Sequence, residues 1–115
     1  MELEDCLSQL FLDTELQPHD YRWIATQIQQ SGRSLKDVEE ILIERVARVC
    51  APNLTLVAGE RASFPDGWVS EKLNDPDYLK VLDRYDHRRL FETYVREDWN
   101  RVLSFVASDS SPNRP

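Results

Sequence analysis

Apolar residues recur at intervals of three and four along most of the chain, which is the spacing that places them on one face of an α-helix. The pattern predicts an all-α fold, a compact bundle of four to six helices. The predicted helices cover about 2–12, 18–30, 35–50, 66–74, 76–84 and 86–107. An irregular loop at 51–65 is expected between the third and fourth of them.

Helix boundaries are marked by residues that suit helix ends. Pro18 suits the first turn of the second helix, where its missing N–H costs no hydrogen bond, and Gly32 suits the turn after it. Ser34 and Asp75 are good N-caps for the helices that follow them. Leu35 is expected to open the apolar stripe of the third helix, and Tyr94 lies within the broad stripe of the last one.

The segment 51–67 is the least regular part of the pattern. It contains two of the three glycines, together with Pro52 and Pro65, and Pro52 is expected to end the third helix. Residues 54–57 fit either a short extended piece or a helical turn. Loops held on a rigid scaffold often carry function, so this segment is a candidate for it.

Length and composition bound the rest of the organisation. The 115 residues, 41% of them hydrophobic and 30% charged, fit one globular domain, predicted at 1–107. The polar end, 108–115, is predicted to be a disordered tail. The first residues lack the basic start and apolar run of a secretory signal, and no stretch approaches the roughly 20 apolar residues of a membrane span. We therefore expect a cytoplasmic protein without a membrane partner.

The formal net charge is −7, and its distribution is uneven. Residues 1–21 include no Lys or Arg. Their acids are Glu2, Glu4, Asp5, Asp13, Glu15 and Asp20. Such a region repels nucleic acid and attracts a basic partner, although acidity that serves only solubility explains it as well.

Motifs that carry chemistry are missing from the sequence. It contains no Gly-rich phosphate loop, no nucleophile elbow and no pair of histidines at metal-ligand spacing, so no catalytic, cofactor-binding or metal residue is assigned and the chain is not expected to be an enzyme. His19 and His87 are expected to be solvated surface residues. Cys6 and Cys50 are expected to be small buried residues.

Basic residues near the start of the last helix alternate with acids. The bases are Lys80, Arg84, His87, Arg88 and Arg89, and the acids among them are Asp83, Asp86 and Glu92. This alternation predicts a surface network of ion pairs rather than a nucleic-acid site. On the third helix, Glu44 and Arg48 have the spacing of a surface pair.

Three short segments occur in a familiar order. They are LFLDTEL at 10–16, PNL at 52–54 and AGE at 58–60, followed by Phe64 and Trp68. As an ordered set they resemble a family of short bacterial proteins of unknown function, and the resemblance covers most of residues 5–105. It implies a bacterial source and a compact helical fold, and it implies no established catalytic residue.

Small size, acidity and the missing catalytic motifs favour a binding protein. The first hypothesis is a protein that masks a partner with a basic surface, as an immunity protein neutralises a cationic bacterial toxin. Its candidate contact residues are Asp13, Glu15, Asp20, Glu60, Asp66 and Trp68. The alternative is a helical regulatory or adaptor module acting as a homodimer through the last helix. An enzyme with a carboxylate-based site is the least favoured, and the pattern leaves open whether the chain is a monomer or a homodimer.

Overall fold

Helices account for the architecture that the computed structural model describes, which covers residues 2–12, 15–55 and 64–109. Within these ranges no strand occurs, and six helices, two of them containing a π turn, form a compact globule. The predicted all-α class is confirmed. None of these helices combines the length and the apolar character that crossing a membrane requires.

The six helices follow the predicted order. Helix α1 is Leu3–Leu7 and continues as a 3-10 turn, Ser8–Phe11; α2 is Pro18–Ser31. Helix α3 is composed of Leu35–Ile41, a π turn at Leu42–Val46, and Ala47–Cys50. Helix α4 is Trp68–Leu73, and α5 is Pro76–Leu82. Helix α6 is composed of His87–Leu90, a π turn at Phe91–Val95, and Arg96–Asp109.

The predicted helix ends are confirmed where local chemistry sets them. Gly32 ends α2 with φ at 73°, a left-handed conformation that glycine adopts without a steric cost. The Ser34 hydroxyl accepts the N–H of Asp37 at 3.1 Å. The carboxylate of Asp75 accepts the N–H of Tyr78 at 3.2 Å. Each bond satisfies a donor that the first turn of a helix leaves without a partner.

The core is formed mainly by α1, α2, α3 and α6. Helix α2 packs along the C-terminal part of α6, and its predicted inner face is buried: Tyr21, Ile24, Ala25 and Ile28. Trp99 of α6 is fully buried, and its indole N–H donates to the Glu39 carboxylate at 2.8 Å. A buried Trp therefore packs as an apolar side chain while its one polar atom remains satisfied.

Two residues predicted on apolar stripes are exposed instead. Leu35 is 44% exposed. It is the first residue of α3 and belongs to the segment 29–37, in which every residue is exposed. Tyr94 is 54% exposed. The π turn gives the buried positions of α6 an interval of four, from Phe91 to Val95 and on to Trp99, and Tyr94 falls on the solvent side.

The irregular loop predicted at 51–65 is only partly described. The α-helix ends at Cys50, so the expectation that Pro52 ends the third helix is confirmed, and a 3-10 turn at Ala51–Thr55 contains the proline. Proline is compatible with a helical turn whose N–H groups need no intrahelical partner. Residues 56–63 lie outside the described residues. Helix α6 reaches Asp109, two residues into the predicted tail, and residues 110–115 also lie outside them.

Candidate functional site

Four of the six predicted contact residues lie within the described ranges, on different segments of the fold. Asp13 and Glu60 lie outside the described residues, so their positions stay predictions. Glu15 is exposed before α2, and Asp66 is exposed in the turn before α4. The position of Asp66, described below, brings it beside the N-terminal acids.

Asp20 is committed to the start of α2. Its carboxylate accepts the N–H of Gln17 at 2.8 Å, which is one half of a capping box. The other carboxylate oxygen lies 3.4 Å from Nε2 of His19, whose side chain is 81% exposed. His19 is thus the solvated residue that was expected, and Asp20 has a local role that accounts for its place in the sequence.

Trp68 belongs to the core, which corrects its assignment as a partner contact. It is 8% exposed, so its side chain offers little surface to another protein. Its ring lies 4.8 Å from that of Phe64 and meets Tyr78 edge-on at 6.1 Å. The aromatic group packs the start of α4 against the rest of the molecule.

Hydrogen bonds from two donors join the first residues of the chain to the start of α4. The backbone N–H of Gly67 donates to both oxygens of Asp5, at 3.1 and 3.2 Å. The Ser70 hydroxyl donates to Glu2 at 3.0 Å. Residues 2–5 and 66–71 are therefore neighbours. We call the exposed carboxylates that these bonds bring together, Glu2, Asp66 and Glu71, the acidic corner.

Bases lie near the acidic corner without neutralising it. Lys72 is 3.6 Å from Glu71 and is also placed over the Tyr78 ring at 4.7 Å. Arg45 is 3.6 Å from Glu4, which adjoins the corner in sequence. Ion pairs of this length at a surface are weak and screened by salt, so the corner keeps a negative field.

Buried polar side chains hold the N-terminal segment, residues 2–12, from inside. Within the described ranges they are Asp5, Ser8 and Asn53. The Ser8 hydroxyl donates to the Asp5 carbonyl at 2.6 Å, and the Asn53 amide donates to the Phe11 carbonyl at 3.2 Å. Two of the segments that carried the family resemblance, LFLDTEL and PNL, thus meet here. Sequence reasoning missed Asp5, because nothing local distinguishes it from Glu4.

The predicted ion-pair network of the basic run is confirmed only in part, because its firm ion pair is made by Arg88 and the partner lies on α3. Lys80, Arg84 and Arg89 form no ion pair among the described residues. Arg88 donates to both oxygens of Glu44, at 2.8 and 2.7 Å. Arg48 does the same with Asp83, at 3.0 and 2.9 Å. The expected pair of Glu44 with Arg48 along α3 is therefore wrong. Hydrogen bonds from these guanidinium groups lower the pKa of Glu44 and of Asp83 below their ordinary values.

His87 differs from its prediction. Its side chain is 20% exposed, and Nε2 is buried 3.8 Å from a Glu44 oxygen, without a hydrogen-bond partner among the described atoms. The cysteines are as expected: Cys6 and Cys50 are buried, and burial raises the pKa of the Cys6 thiol to about 12. At neutral pH Cys6 is a thiol and a poor nucleophile. No group of three or more His, Cys, Asp or Glu within the described part could hold a metal ion.

A surface hollow of about 370 Å³ lies where α5 leads into α6. Two exposed tyrosines, Tyr85 at 37% and Tyr94 at 54%, line it. The other lining residues are Arg84, Asp86, Arg89, Leu90 and Thr93. We call this feature the tyrosine hollow. Sequence reasoning missed it because Tyr94 was assigned to the core.

The fold and these features define a small all-α protein with two surface features of different character, the acidic corner and the tyrosine hollow. The chain belongs to the family described as "Domain of unknown function (DUF7079)", which matches residues 1–105. This confirms the expected membership of an uncharacterised family. Neither the curated proteins nor the solved structures that were compared with the chain give a match.

Proposed function

We propose that this chain is a bacterial cytoplasmic protein that binds a partner protein with a basic surface, as an immunity protein masks a cationic toxin. The observation that carries the proposal is the acidic corner. Acids from two segments far apart in sequence are brought together there by the Asp5–Gly67 and Glu2–Ser70 hydrogen bonds. A turn or a cap would need no such arrangement.

The corner suits fast recognition of a cationic surface. Exposed carboxylates on a chain of net charge −7 attract a positive partner over about a Debye length, roughly 8 Å at physiological salt. The bond of the buried Asp5 carboxylate to the Gly67 N–H fixes the backbone beneath the corner. Because the surface is already ordered, binding costs less conformational entropy. Glu15 remains a contact candidate, since it is exposed.

The test is affinity capture from the native host, followed by reconstitution with the purified partner. We compare the wild type with a variant carrying Glu2→Gln, Asp66→Asn and Glu71→Gln. The wild type should recover a cationic protein and bind it at least about tenfold more tightly than the variant at low salt, with the difference shrinking as salt is added. For a toxin, coexpressed wild type should restore growth of cells that make the partner, and the variant should restore less.

A matched control variant removes the same number of negative charges from surfaces outside the acidic corner. Glu40→Gln, Asp77→Asn and Glu97→Gln remove three exposed carboxylates from α3, α5 and α6. This variant should bind like the wild type within about twofold, because only the location of the charge differs. Equal losses in both variants would show that net charge alone drives association, and an anionic or neutral partner would refute the proposal.

The other hypotheses have less support. A homodimeric adaptor needs an exposed apolar face on the last helix, but Phe91, Trp99 and Val102 of that stripe are buried in the core. The exposed side chain of Tyr94 is the observation that favours a homodimer. Light scattering at micromolar concentration tests it. An enzyme with a carboxylate-based site would be revived by a tightly bound metal in elemental analysis.

A further inference from the structure

The tyrosine hollow brings together large side chains whose apolar surface is left exposed to water. Tyr85 and Tyr94 are two of the five large hydrophobic side chains that are exposed among the described residues, and they line one hollow together with Leu90. Tyrosine next to arginine is the composition enriched at the energetic centres of protein interfaces. The hollow therefore offers a preformed binding surface on a different part of the molecule from the acidic corner.

The charge of the hollow is positive although the chain is acidic. Neither Arg84 nor Arg89 has an ion-pair partner within the described ranges. Arg48 and Arg88, by contrast, each make a bidentate ion pair with a carboxylate. The acid of the hollow, Asp86, is committed to capping α6 by accepting the N–H of Arg89 at 3.1 Å. Two guanidinium groups thus remain available to an anion.

The backbone beneath the hollow is held in place. Phe91 and Val95, the first and last residues of the π turn that contains Tyr94, are both buried. The Arg88–Glu44 pair joins the first turn of α6 to α3. Tyr94 is therefore presented outward by a fixed helix, which lowers the entropy lost when a partner binds.

We propose that the tyrosine hollow docks an acidic segment of a partner protein. Carboxylates of the segment pair with Arg84 and Arg89, whose planar groups match a carboxylate with two parallel hydrogen bonds. An apolar side chain of the segment lies between Tyr85 and Tyr94. This inference goes beyond the proposed function, because it concerns another surface and a partner segment of the opposite charge.

Charge decides between this occupant and two others. In a twofold contact between copies, the hollow would face itself and bring arginines against arginines, on chains that each carry a net charge of −7. A nucleic acid could stack on the tyrosines, but its continuous row of phosphates needs many cations, and the hollow supplies only Arg84 and Arg89. An acidic segment needs only the two local charges and short-range contacts.

The first experiment is a selection that assumes no partner. A phage library of random dodecapeptides is panned on the full-length chain, with counter-selection against a variant carrying Arg89→Glu and Tyr94→Ala. Enriched peptides should combine an excess of Asp and Glu with an aromatic residue or Leu. Enrichment of neutral or basic peptides, or of peptides that bind the variant equally well, overturns the proposal, as does the absence of any enrichment.

The second experiment measures the best peptide by fluorescence anisotropy. Arg84→Glu, Arg89→Glu and Tyr94→Ala should each weaken binding by about fivefold or more, as expected of residues at the centre of an interface. Arg33→Glu is the matched control, since Arg33 is exposed at the other end of α3 and has no ion-pair partner in the described structure. It should change binding by less than about twofold. Circular dichroism checks that each variant is folded.

Three further outcomes discriminate among occupants and between proposals. Tight binding of labelled oligothymidine that Arg89→Glu abolishes would identify a nucleic-acid site and overturn the proposal. A concentration-dependent dimer that Tyr94→Ala removes would identify a second copy and overturn it too. Neutralising the acidic corner should leave peptide affinity unchanged, so this inference and the proposed function fail independently.

Discussion

At the scale of single residues, Asp5 and Glu4 show how a neighbour decides a role. Both are acids in the first turn of α1, where the helix dipole favours negative charge. Glu4 is partly exposed and lies 3.6 Å from Arg45. Asp5 is 4% exposed, and both of its oxygens receive the N–H of Gly67. A buried carboxylate is tolerated there because the fold supplies a donor.

We predict that Asp5→Ala destabilises the protein strongly for a single substitution. Removing the carboxylate leaves the Gly67 N–H without its acceptor, and hydrogen bonds to charged groups contribute about 1.5–3 kcal/mol to the free energy of unfolding. Urea unfolding followed by circular dichroism measures the change. Glu15→Gln, an exposed acid, should cost less than about 0.5 kcal/mol. Equal costs for the two substitutions would remove the structural role that we assign to Asp5.

Trp68 and Tyr94 show what the sequence could and could not predict about candidate sites. The pattern placed Trp68 at a partner surface and Tyr94 in the core, and their exposures of 8% and 54% are the reverse. Periodicity identifies residues that share one face of a helix. It does not identify which neighbouring helix covers that face, and contacts such as Asp5–Gly67 depend on that arrangement.

At the scale of helices, arginine pairs join α3 to the segments around α6. Glu44 and Arg48 have the spacing of a pair within α3, yet each binds a partner on another segment, Arg88 and Asp83 respectively. Two parallel hydrogen bonds to a planar guanidinium are stronger than one contact along a helix surface. The pairs therefore connect helices instead of stabilising one helix.

We predict that acid weakens the α3–α6 contact through Glu44. The Arg88 guanidinium lowers the pKa of Glu44 from its ordinary 4.5, so the stability it contributes is present above that value and is lost as pH falls through the lowered pKa. At about pH 6 the wild type should have a higher melting temperature than Glu44→Gln. At about pH 3 this difference in melting temperature should be smaller. Thermal unfolding followed by circular dichroism at both pH values measures it. The control is Glu40→Gln, which removes an exposed acid of α3 and should differ little from the wild type in melting temperature at either pH. The prediction would be contradicted if the difference for Glu44→Gln were the same at both pH values.

Helix boundaries were predictable and helix types were not. The ends marked by Gly32, Ser34 and Asp75 match because caps involve residues within three positions of one another. The π turns at Leu42–Val46 and Phe91–Val95 carry no such local signal. Which turn type forms depends on packing against the other helices, and that information is not local.

At the scale of the whole molecule, packing is uneven. The most extensive packing between two helices joins α2 to the C-terminal part of α6. There the Tyr21 hydroxyl donates to Asp98 at 2.7 Å, and Arg22 lies over the Phe105 ring. Helices α4 and α5 are short and bury fewer side chains. The class of fold was predictable from periodicity, whereas this hierarchy of contacts was not.

We predict that hydrogen exchange follows that hierarchy. Backbone amides of Ile24 and Ile28 in α2, and of Trp99 and Val102 in α6, should exchange slowest, because opening them requires loss of the central packing. Amides of α4 and α5 should exchange at least about tenfold faster, through local opening. Exchange measured amide by amide by NMR tests this. Protection that is uniform across the chain would indicate a single cooperative unit instead.

The burial of both native cysteines has a practical consequence. Cys6 and Cys50 lie inside the folded protein, and the Cys6 thiol has a pKa of about 12, so maleimide dyes react with it slowly near neutral pH. A cysteine introduced at an exposed position becomes the preferred labelling point without removal of either native one. Glu15→Cys and Thr93→Cys would place a single fluorophore near the start of α2 or at the edge of the tyrosine hollow, and each dye would report occupancy of its own surface in real time.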